Sequence, residues 1–385
     1  MKKNLAILGS TGSIGVTALD VVSQNSNDFN ITALSAGSNY KLLAEQANKF
    51  KPAILCIGSE DLKKELEPLL NYKADIETGL EGIKTLIKNS GADLVLNAIV
   101  GAAGLLPTVT TLECGKDLAL ANKESLVIGG QLVKDLAAKN NARIIPVDSE
   151  HNAIFQCLKG NQNRCVKQIV LTGSGGPLLN YPLDKFKDVT PAQALNHPTW
   201  GMGRKISIDS ATMVNKGLEI IEAKWLFDID VDIIDVVIHP QSIVHGMVEF
   251  MDGSYLCMLG PRSMSIPIIY SLYYPEYANS APTDSLQSCR GLNLEFKEPE
   301  LKRFPALKLA REVAKTLGTA PAVFNASNEV AVDAFLDGKI RFDQIVEVVT
   351  KTLDQHKVIV KLDLDVLLEA DAWARLESKK MCERR

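Results

Sequence analysis

The sequence predicts an α/β protein: a doubly wound, Rossmann-like N-terminal domain, a central α+β domain and a C-terminal α-helical bundle. Three observations predict it. Short apolar runs recur through the first 150 residues with amphipathic segments between them, a glycine-rich turn directly follows the first run, and the texture changes after residue 150 to Gly/Ser/Pro-rich loops.

The apolar runs cover residues 5–8, 31–36, 53–57, 94–99, 118–121 and 144–147. Runs this short, without regular polar alternation, suit strands of a parallel sheet covered on both faces, with the intervening segments as helical crossovers. They define a dinucleotide-binding domain over 1–148. A catalytic domain is expected over 149–275, carrying a loop at 173–177 and a Gly/Pro-punctuated segment at 197–205. Alternating runs over 236–259 flank Asp252-Gly253-Ser254 and read as two strands joined by a turn. Residues 276–304, polar and Pro-interrupted, read as a linker. In the helical domain, 305–385, helical spacing appears over 306–317, 327–336 and 342–353.

Length and composition bound the function. A chain of 385 residues has room for two or three cores. With 42 basic and 46 acidic side chains and a formal net charge of -4, it has no charge block suited to nucleic acid. Its seven cysteines form no C-x-x-C pair, as in a reducing compartment. The initial apolar run is cut short at Gly9, too early for a secretory signal, and no stretch is long enough to span a bilayer. The chain therefore reads as soluble and cytoplasmic.

Gly9-Ser10-Thr11-Gly12-Ser13-Ile14-Gly15 leaves the first strand and opens a helix, where backbone N–H groups and the helix dipole suit a pyrophosphate. After the second strand, Gly37-Ser38-Asn39-Tyr40-Lys41 lacks the acid that holds the ribose hydroxyls of NAD and brings a lysine near. That favours the 2′-phosphate of NADP, with Ser38 and Asn39 as hydrogen-bond donors.

Asp148 and Glu150 end the run at 144–147, and strand alternation aims both at one side, where they can share a cation. Glu219 is a third oxygen ligand candidate. Val214, Leu218, Ile221 and Trp225 form the apolar stripe of a helix whose polar stripe gathers Thr212, Asn215, Lys216 and Glu219; a solvated face is the competing reading. Carboxylates alone select Mg²⁺ or Mn²⁺ over Zn²⁺.

The loop Thr172-Gly173-Ser174-Gly175-Gly176-Pro177 offers amides and a hydroxyl to a phosphate, or is simply a turn. Ser210, Asn215 and Lys216 add a hydroxyl, an amide and a charge at an expected helix start. Between them, His197-Pro198-Thr199-Trp200-Gly201-Met202-Gly203 has the glycines and the aromatic of a closing flap. His239, His245 and Glu249 share strand parity, but their apolar surroundings favour packing or a subunit interface over metal. His151 is a supporting partner or a helix-start residue.

Together these motifs resemble the 1-deoxy-D-xylulose 5-phosphate reductoisomerase family of the non-mevalonate isoprenoid pathway. The likeness runs in order from the Gly9 turn through Asn97-Ala98-Ile99-Val100-Gly101-Ala102-Ala103-Gly104, Leu120-Ala121-Asn122-Lys123-Glu124-Ser125, Pro146-Val147-Asp148-Ser149-Glu150-His151 and the Ser174 loop. It continues through His197-Pro198-Thr199-Trp200, Asn215-Lys216-Gly217-Leu218-Glu219, Ile238-His239-Pro240-Gln241-Ser242 and Asn325-Ala326-Ser327-Asn328-Glu329. The resemblance implies an NADPH site at Thr11, Gly12, Ser13, Ile14, Gly37, Ser38, Asn39, Asn122, Glu124 and Gly203, and a Mg²⁺ or Mn²⁺ site at Asp148, Glu150 and Glu219. It implies a sugar phosphate substrate held by Lys123, Ser149, Glu150, Ser174, His197, Trp200, Ser210, Asn215, Lys216 and Glu219. Lys123, Asp148, Glu150, His197 and Glu219 are the expected catalytic group, and a homodimer is expected.

Two departures stand out. Many relatives carry a basic residue where this chain has Ser38. A regular strand would also turn Ser149 away from its neighbours, so the chain must bend at Asp148 if Ser149 is to reach substrate. An ordinary NADP-linked dehydrogenase and a non-catalytic nucleotide sensor remain the alternatives.

Overall fold

The computed structural model describes residues 2–161, 165–279, 281, 286 and 291–383. The chain forms two compact units, the first from Met1–Ser125, Val133–Asn152 and Ser263–Ser285, the second from Leu126–Leu132, Ala153–Arg262 and Leu286–Arg385.

In the first unit the expected parallel sheet is present: β1 (Lys3–Leu8), β2 (Phe29–Ser35), β3 (Ile54–Ile57), β4 (Asp75–Thr78), β5 (Leu94–Asn97), β6 (Asp117–Leu120) and β7 (Ile144–Pro146), in the order β4-β3-β2-β1-β5-β6-β7. Both faces are covered. Leu5 and Ile7 of β1 join one buried cluster, while Ala6 and Leu8 join another with Leu86 and Ile87 of the helix Gly79–Asn89. This is the period-2 consequence of two buried faces. The strand order reverses at β1 and β5, and the crevice beyond the carboxyl ends of these two strands is where open α/β sheets take ligands. β4 was not expected: its sequence Asp-Ile-Glu-Thr buries only Ile76, as suits an edge strand. The helix Ser265–Tyr273 adds Ile268, Ile269 and Leu272 to the core of this unit.

The second unit holds β8 (Val166–Gly173), β9 (Ile234–Ile238), β10 (Val244–Phe250) and β11 (Tyr255–Leu259), ordered β11-β10-β8-β9. The turn at Asp252-Gly253-Ser254 joins β10 to β11, Asp252 Oδ1 accepting the Ser254 amide at 2.9 Å. The expectation of two strands over 236–259 is corrected to three. The chain turns after β9, where His239 Nε2 accepts the amides of Ile243 and Val244 at 3.1 Å each, and this turn separates β9 from β10.

Helices Val214–Phe227, Pro305–Thr316, Ala320–Leu336 and Gln344–Gln355 follow the expected pattern with shifted ends. A further helix, Leu364–Glu383, buries Leu367, Ala370, Ala374, Ser378 and Cys382. Its buried face is mostly small residues, so no apolar stripe announced it. The expected linker falls partly outside the described residues; within it, Lys297 exchanges two backbone hydrogen bonds with Ile238. Among the described residues no helix is long and apolar enough to cross a membrane.

Candidate active site

In the first unit the glycine turn is built by close backbone contact. Gly9 has φ of +77°, and a Cβ there would lie 2.8 Å from the Ala98 carbonyl oxygen at the end of β5; a Cβ on Gly15 would lie 2.4 Å from the Gly9 oxygen. Glycine at both positions lets β1 pass directly into the helix Ser13–Gln24. Ser10 turns inward, donating from Oγ to Gln46 at 2.7 Å. Gly12 and Ser13 stay exposed at the helix start, where no side chain caps the amides. That leaves an anion-binding terminus.

At the end of β2, Gly37, Ser38 and Asn39 are exposed. Asn39 Oδ1 accepts the Leu42 amide at 3.2 Å and so caps the helix Tyr40–Phe50; only its Nδ2 remains a donor to a ligand. Asn122 is more deeply committed. Its Nδ2 donates to the carbonyls of Ile99 (2.7 Å) and Gly101 (2.9 Å) and to Glu124 Oε2 (3.1 Å), while Oδ1 accepts the Ser125 amide at 2.9 Å. Its side chain therefore ties the loop after β5 to the helix Lys123–Lys139, and any contact with a nucleotide falls to its backbone.

Lys123, buried at the start of that helix, places Nζ 2.5 Å from Asp148 Oδ2. The strand geometry expected for Asp148 and Glu150 needs correction. β7 stops at Pro146, and the Asp148 carbonyl accepts the Asn152 amide at 2.8 Å, so Asp148 stands at the N-terminal end of the helix Ser149–Leu158 with Glu150 in its first turn. Helical rather than strand geometry thus sets the two carboxylates, and it supplies the bend that Ser149 required. Ser149 Oγ donates to Glu150 Oε2 at 2.6 Å. His151, fully buried, brings Nδ1 to 3.7 Å from Asp148 Oδ2.

In the second unit, β8 ends in the Ser174 loop. His197 Nδ1 accepts the amides of Thr199 (3.1 Å) and Trp200 (3.0 Å), which places the ring proton on Nε2, 3.0 Å from Ser174 Oγ. Burial lowers the His197 pKa and favours this neutral ring. Ser174 Oγ also accepts the Gly176 amide at 3.2 Å. With both acceptor positions in use, its own proton is left to donate to a ligand.

Met213, at φ of +60°, breaks the expected single helix into Arg204–Thr212 and Val214–Phe227. Thr212 therefore leaves the polar stripe and bonds back to the Ile208 carbonyl at 3.1 Å. Lys216 and Glu219 are buried, against the reading of a solvated face. Lys216 Nζ donates to the Thr172 carbonyl at 2.7 Å and to Glu219 Oε2 at 2.5 Å, and Asn215 Nδ2 donates to Glu219 Oε1 at 2.5 Å. From Ser207 to Ala223, only Ser210 and Asn215 escape full burial. Both are expected to reach a phosphate; Lys216, the third residue of the stretch with that expectation, is buried.

The matches with known proteins agree along the chain. Models of the 1-deoxy-D-xylulose 5-phosphate reductoisomerase, of its C-terminal domain, and of the DXP reductoisomerase C-terminal domain match residues 5–130, 144–227 and 259–377. The chain belongs to the 1-deoxy-D-xylulose 5-phosphate reductoisomerase family. Reductoisomerases of this name from Pelodictyon phaeoclathratiforme and Chlorobaculum tepidum are 51% and 48% identical, each over 98% of this chain and 99% of the relative. The solved reductoisomerase from Zymomonas mobilis in complex with NADPH superposes with a TM-score of 0.93 at 40% identity, covering 100% of both chains. A reductoisomerase in complex with NADPH, fosmidomycin and magnesium gives 0.92 at 38%, covering 99% of this chain and 98% of that one. The chain is accordingly an oxidoreductase that acts on 1-deoxy-D-xylulose 5-phosphate.

Within the reductoisomerase, His239 stacks on Phe296 at 4.7 Å, and Glu249 pairs with Lys167 at 2.8 Å. His239 and Glu249 thus each have a partner within the chain. The Thr172 carbonyl, which fixes Lys216, escaped the sequence reading because a backbone acceptor leaves no residue-type signal.

Proposed function

We propose that this chain converts 1-deoxy-D-xylulose 5-phosphate to 2-C-methyl-D-erythritol 4-phosphate for isoprenoid biosynthesis, in the cytoplasm, with NADPH and one divalent cation, Mg²⁺ or Mn²⁺. Asp148, Glu150 and Glu219 hold the cation. The donor set fits, because hard carboxylate oxygens suit these ions and Lys123, Asn215 and Lys216 fix the carboxylates by charge and hydrogen bonds. Thr11, Gly12, Ser13, Ile14, Gly37, Ser38, Asn39, Asn122, Glu124 and Gly203 line the NADPH site. The tight Gly9–Gly15 turn and its uncapped helix start fit a pyrophosphate.

When bound, the cation supplies Lewis-acid stabilisation of a developing oxyanion and NADPH supplies a hydride. The chain's own residues bind, orient and shield. Ser174, Ser210, Asn215 and Lys216 take the phosphate, with Ser174 donating the hydroxyl proton that His197 and Gly176 leave to it. His197 also binds the first amides of the Trp200 flap, so substrate grip and flap position share one imidazole. Trp200 packs against His245 at 6.5 Å and covers the substrate against water. Lys123, Ser149 and Glu150 contact the reacting end, with Lys123 and Glu150 placed to move protons.

The observation that carries this reading is the opening of Ser210 and Asn215 alone in an otherwise buried stretch that also fixes Lys216 and Glu219. The test follows NADPH absorbance with 1-deoxy-D-xylulose 5-phosphate, with and without Mn²⁺ or after chelation, and identifies the product by mass and NMR. Metal-dependent consumption yielding the branched polyol phosphate is expected. Metal-independent reduction of an unrearranged substrate would instead identify an ordinary dehydrogenase.

The active form is a homodimer paired along β11. This edge strand leaves Tyr255 52%, Leu256 45% and Leu259 36% exposed, beside Met251 at 69%. An apolar edge of that kind calls for a partner.

A further inference from the structure

The helix that carries Ser210 contains a buried carboxyl group the reaction does not use. Asp209, on Arg204–Thr212, is only 1% exposed. A buried carboxylate is costly unless paired, and Asp209 has partners on two elements. Lys205 Nζ lies 3.0 Å away, one turn earlier on the same helix and two residues beyond Gly203 at the root of the flap. Asn328 Nδ2 donates to Asp209 Oδ1 at 2.7 Å from the largely buried helix Ala320–Leu336. Asn328 is itself fully buried, and its motif Asn325-Ala326-Ser327-Asn328-Glu329 has no part in the chemistry above.

One carboxylate thus binds Lys205, two residues beyond the flap root, and a C-terminal helix, while its chain neighbour, Ser210, is one of two openings in the stretch. We propose that Asp209 and Asn328 are a positioning pair that sets Ser210 and the flap root, making the grip on the substrate phosphate depend on the helix Ala320–Leu336. This rests on Ser210 as a phosphate ligand. The Asn328 bond to Oδ1 ties the helix to a second element, while Lys205, on the same helix, holds Oδ2. Releasing the Asn328 bond lets Ser210 drift, and because the proposed NADPH residues other than Gly203 lie on other elements, NADPH is affected far less.

The test uses the full chain with NADPH and Mg²⁺. It measures KM for 1-deoxy-D-xylulose 5-phosphate, KM for NADPH, kcat, and competitive inhibition by inorganic phosphate. Asn328→Ala should raise the substrate KM and the phosphate inhibition constant together, by roughly tenfold, as loss of a hydrogen bond to a charged group implies. The NADPH KM, to which Gly203 alone of this helix's end contributes, should change far less than the substrate KM, and the saturated kcat should stay close to the parent value. The exchanged pair, Asp209→Asn with Asn328→Asp, keeps a donor facing a carboxylate and should recover most of the loss. A folded Asn328→Ala enzyme with parental substrate KM and phosphate inhibition overturns the inference. Should the buried variants fail to fold, Lys205→Gln, at the less buried end of the ion pair, decides: an unchanged substrate KM and phosphate inhibition overturn it equally. Absence of phosphate competition in the parent would instead remove the phosphate reading itself.

Discussion

His197 Nε2 lies 3.0 Å from Ser174 Oγ while Nδ1 of the same ring accepts the amides of Thr199 and Trp200. The arrangement works only with a neutral ring, because protonated Nδ1 can accept neither amide. Burial lowers the His197 pKa from 6.5, so the fold favours the neutral form. The sign follows: the stabilisation is fully present above pH 6.5 and is lost as the pH falls through the lower folded value. His239 and His356 are also lowered by burial and act in the same direction. Substrate KM should therefore rise on the acid side as the flap loosens, and thermal stability should fall there too. In His197→Gln the acid limb of the KM profile should flatten. A profile unchanged by that substitution would refute the link.

The dinucleotide turn tolerates no side chain at Gly15, since a Cβ would lie 2.4 Å from the Gly9 oxygen and 2.5 Å from the Ser10 Cα, both backbone. Gly15→Ala should cost about 1–3 kcal/mol of stability, as overpacking does, and weaken NADPH binding by displacing the turn. Gly12→Ala is the comparison: its Cβ would meet the Gly9 oxygen at 3.4 Å, an ordinary contact, so stability should hardly change. Calorimetric melting with NADPH titration of both proteins checks the pair.

How far the residues announce this structure depends on where their energy comes from. The strands buried on both faces were legible because each is a short apolar run, and β4 was not because only Ile76 is buried. The helix Leu364–Glu383 packs through Ala370, Ala374, Ser378 and Cys382, residues too small or too polar to draw an apolar stripe. At the site, residue types identified Asp148 and Glu150, but alternation misjudged their geometry because a helix start replaces the strand after Pro146. Lys216 and Glu219 read equally well as a solvated face. Lys216 is anchored on the Thr172 carbonyl, forty-four residues away in the chain, and no local pattern encodes that partner.

Glu219 is held at both oxygens, by Asn215 and Lys216, at 2.5 Å each. Glu219→Gln presents an amide to two donors and removes the charge opposite a buried lysine. Turnover should fall by roughly 10²-fold or more, on the scale that misplacing a reacting group costs. Mn²⁺ affinity should fall with it. The residues proposed for NADPH lie on other elements, so NADPH affinity should change little. Parallel calorimetric titrations with Mn²⁺ and with NADPH separate the two, and equal losses in both would argue against a metal role.

Tyr255, Leu256 and Leu259 stand exposed beside unpaired strand backbone, and an apolar edge left in water invites pairing with another chain. Leu256→Lys puts a charge on that edge, a device by which proteins block strand pairing. Its own strand should survive, because Leu256 already reaches solvent and β10 still pairs with β11 from Val244 to Glu249. Sedimentation should then show a shift from dimer to monomer with unchanged far-ultraviolet circular dichroism. A variant that stays dimeric would place the subunit contact elsewhere, and a parent protein that is monomeric at micromolar concentration would refute the homodimer.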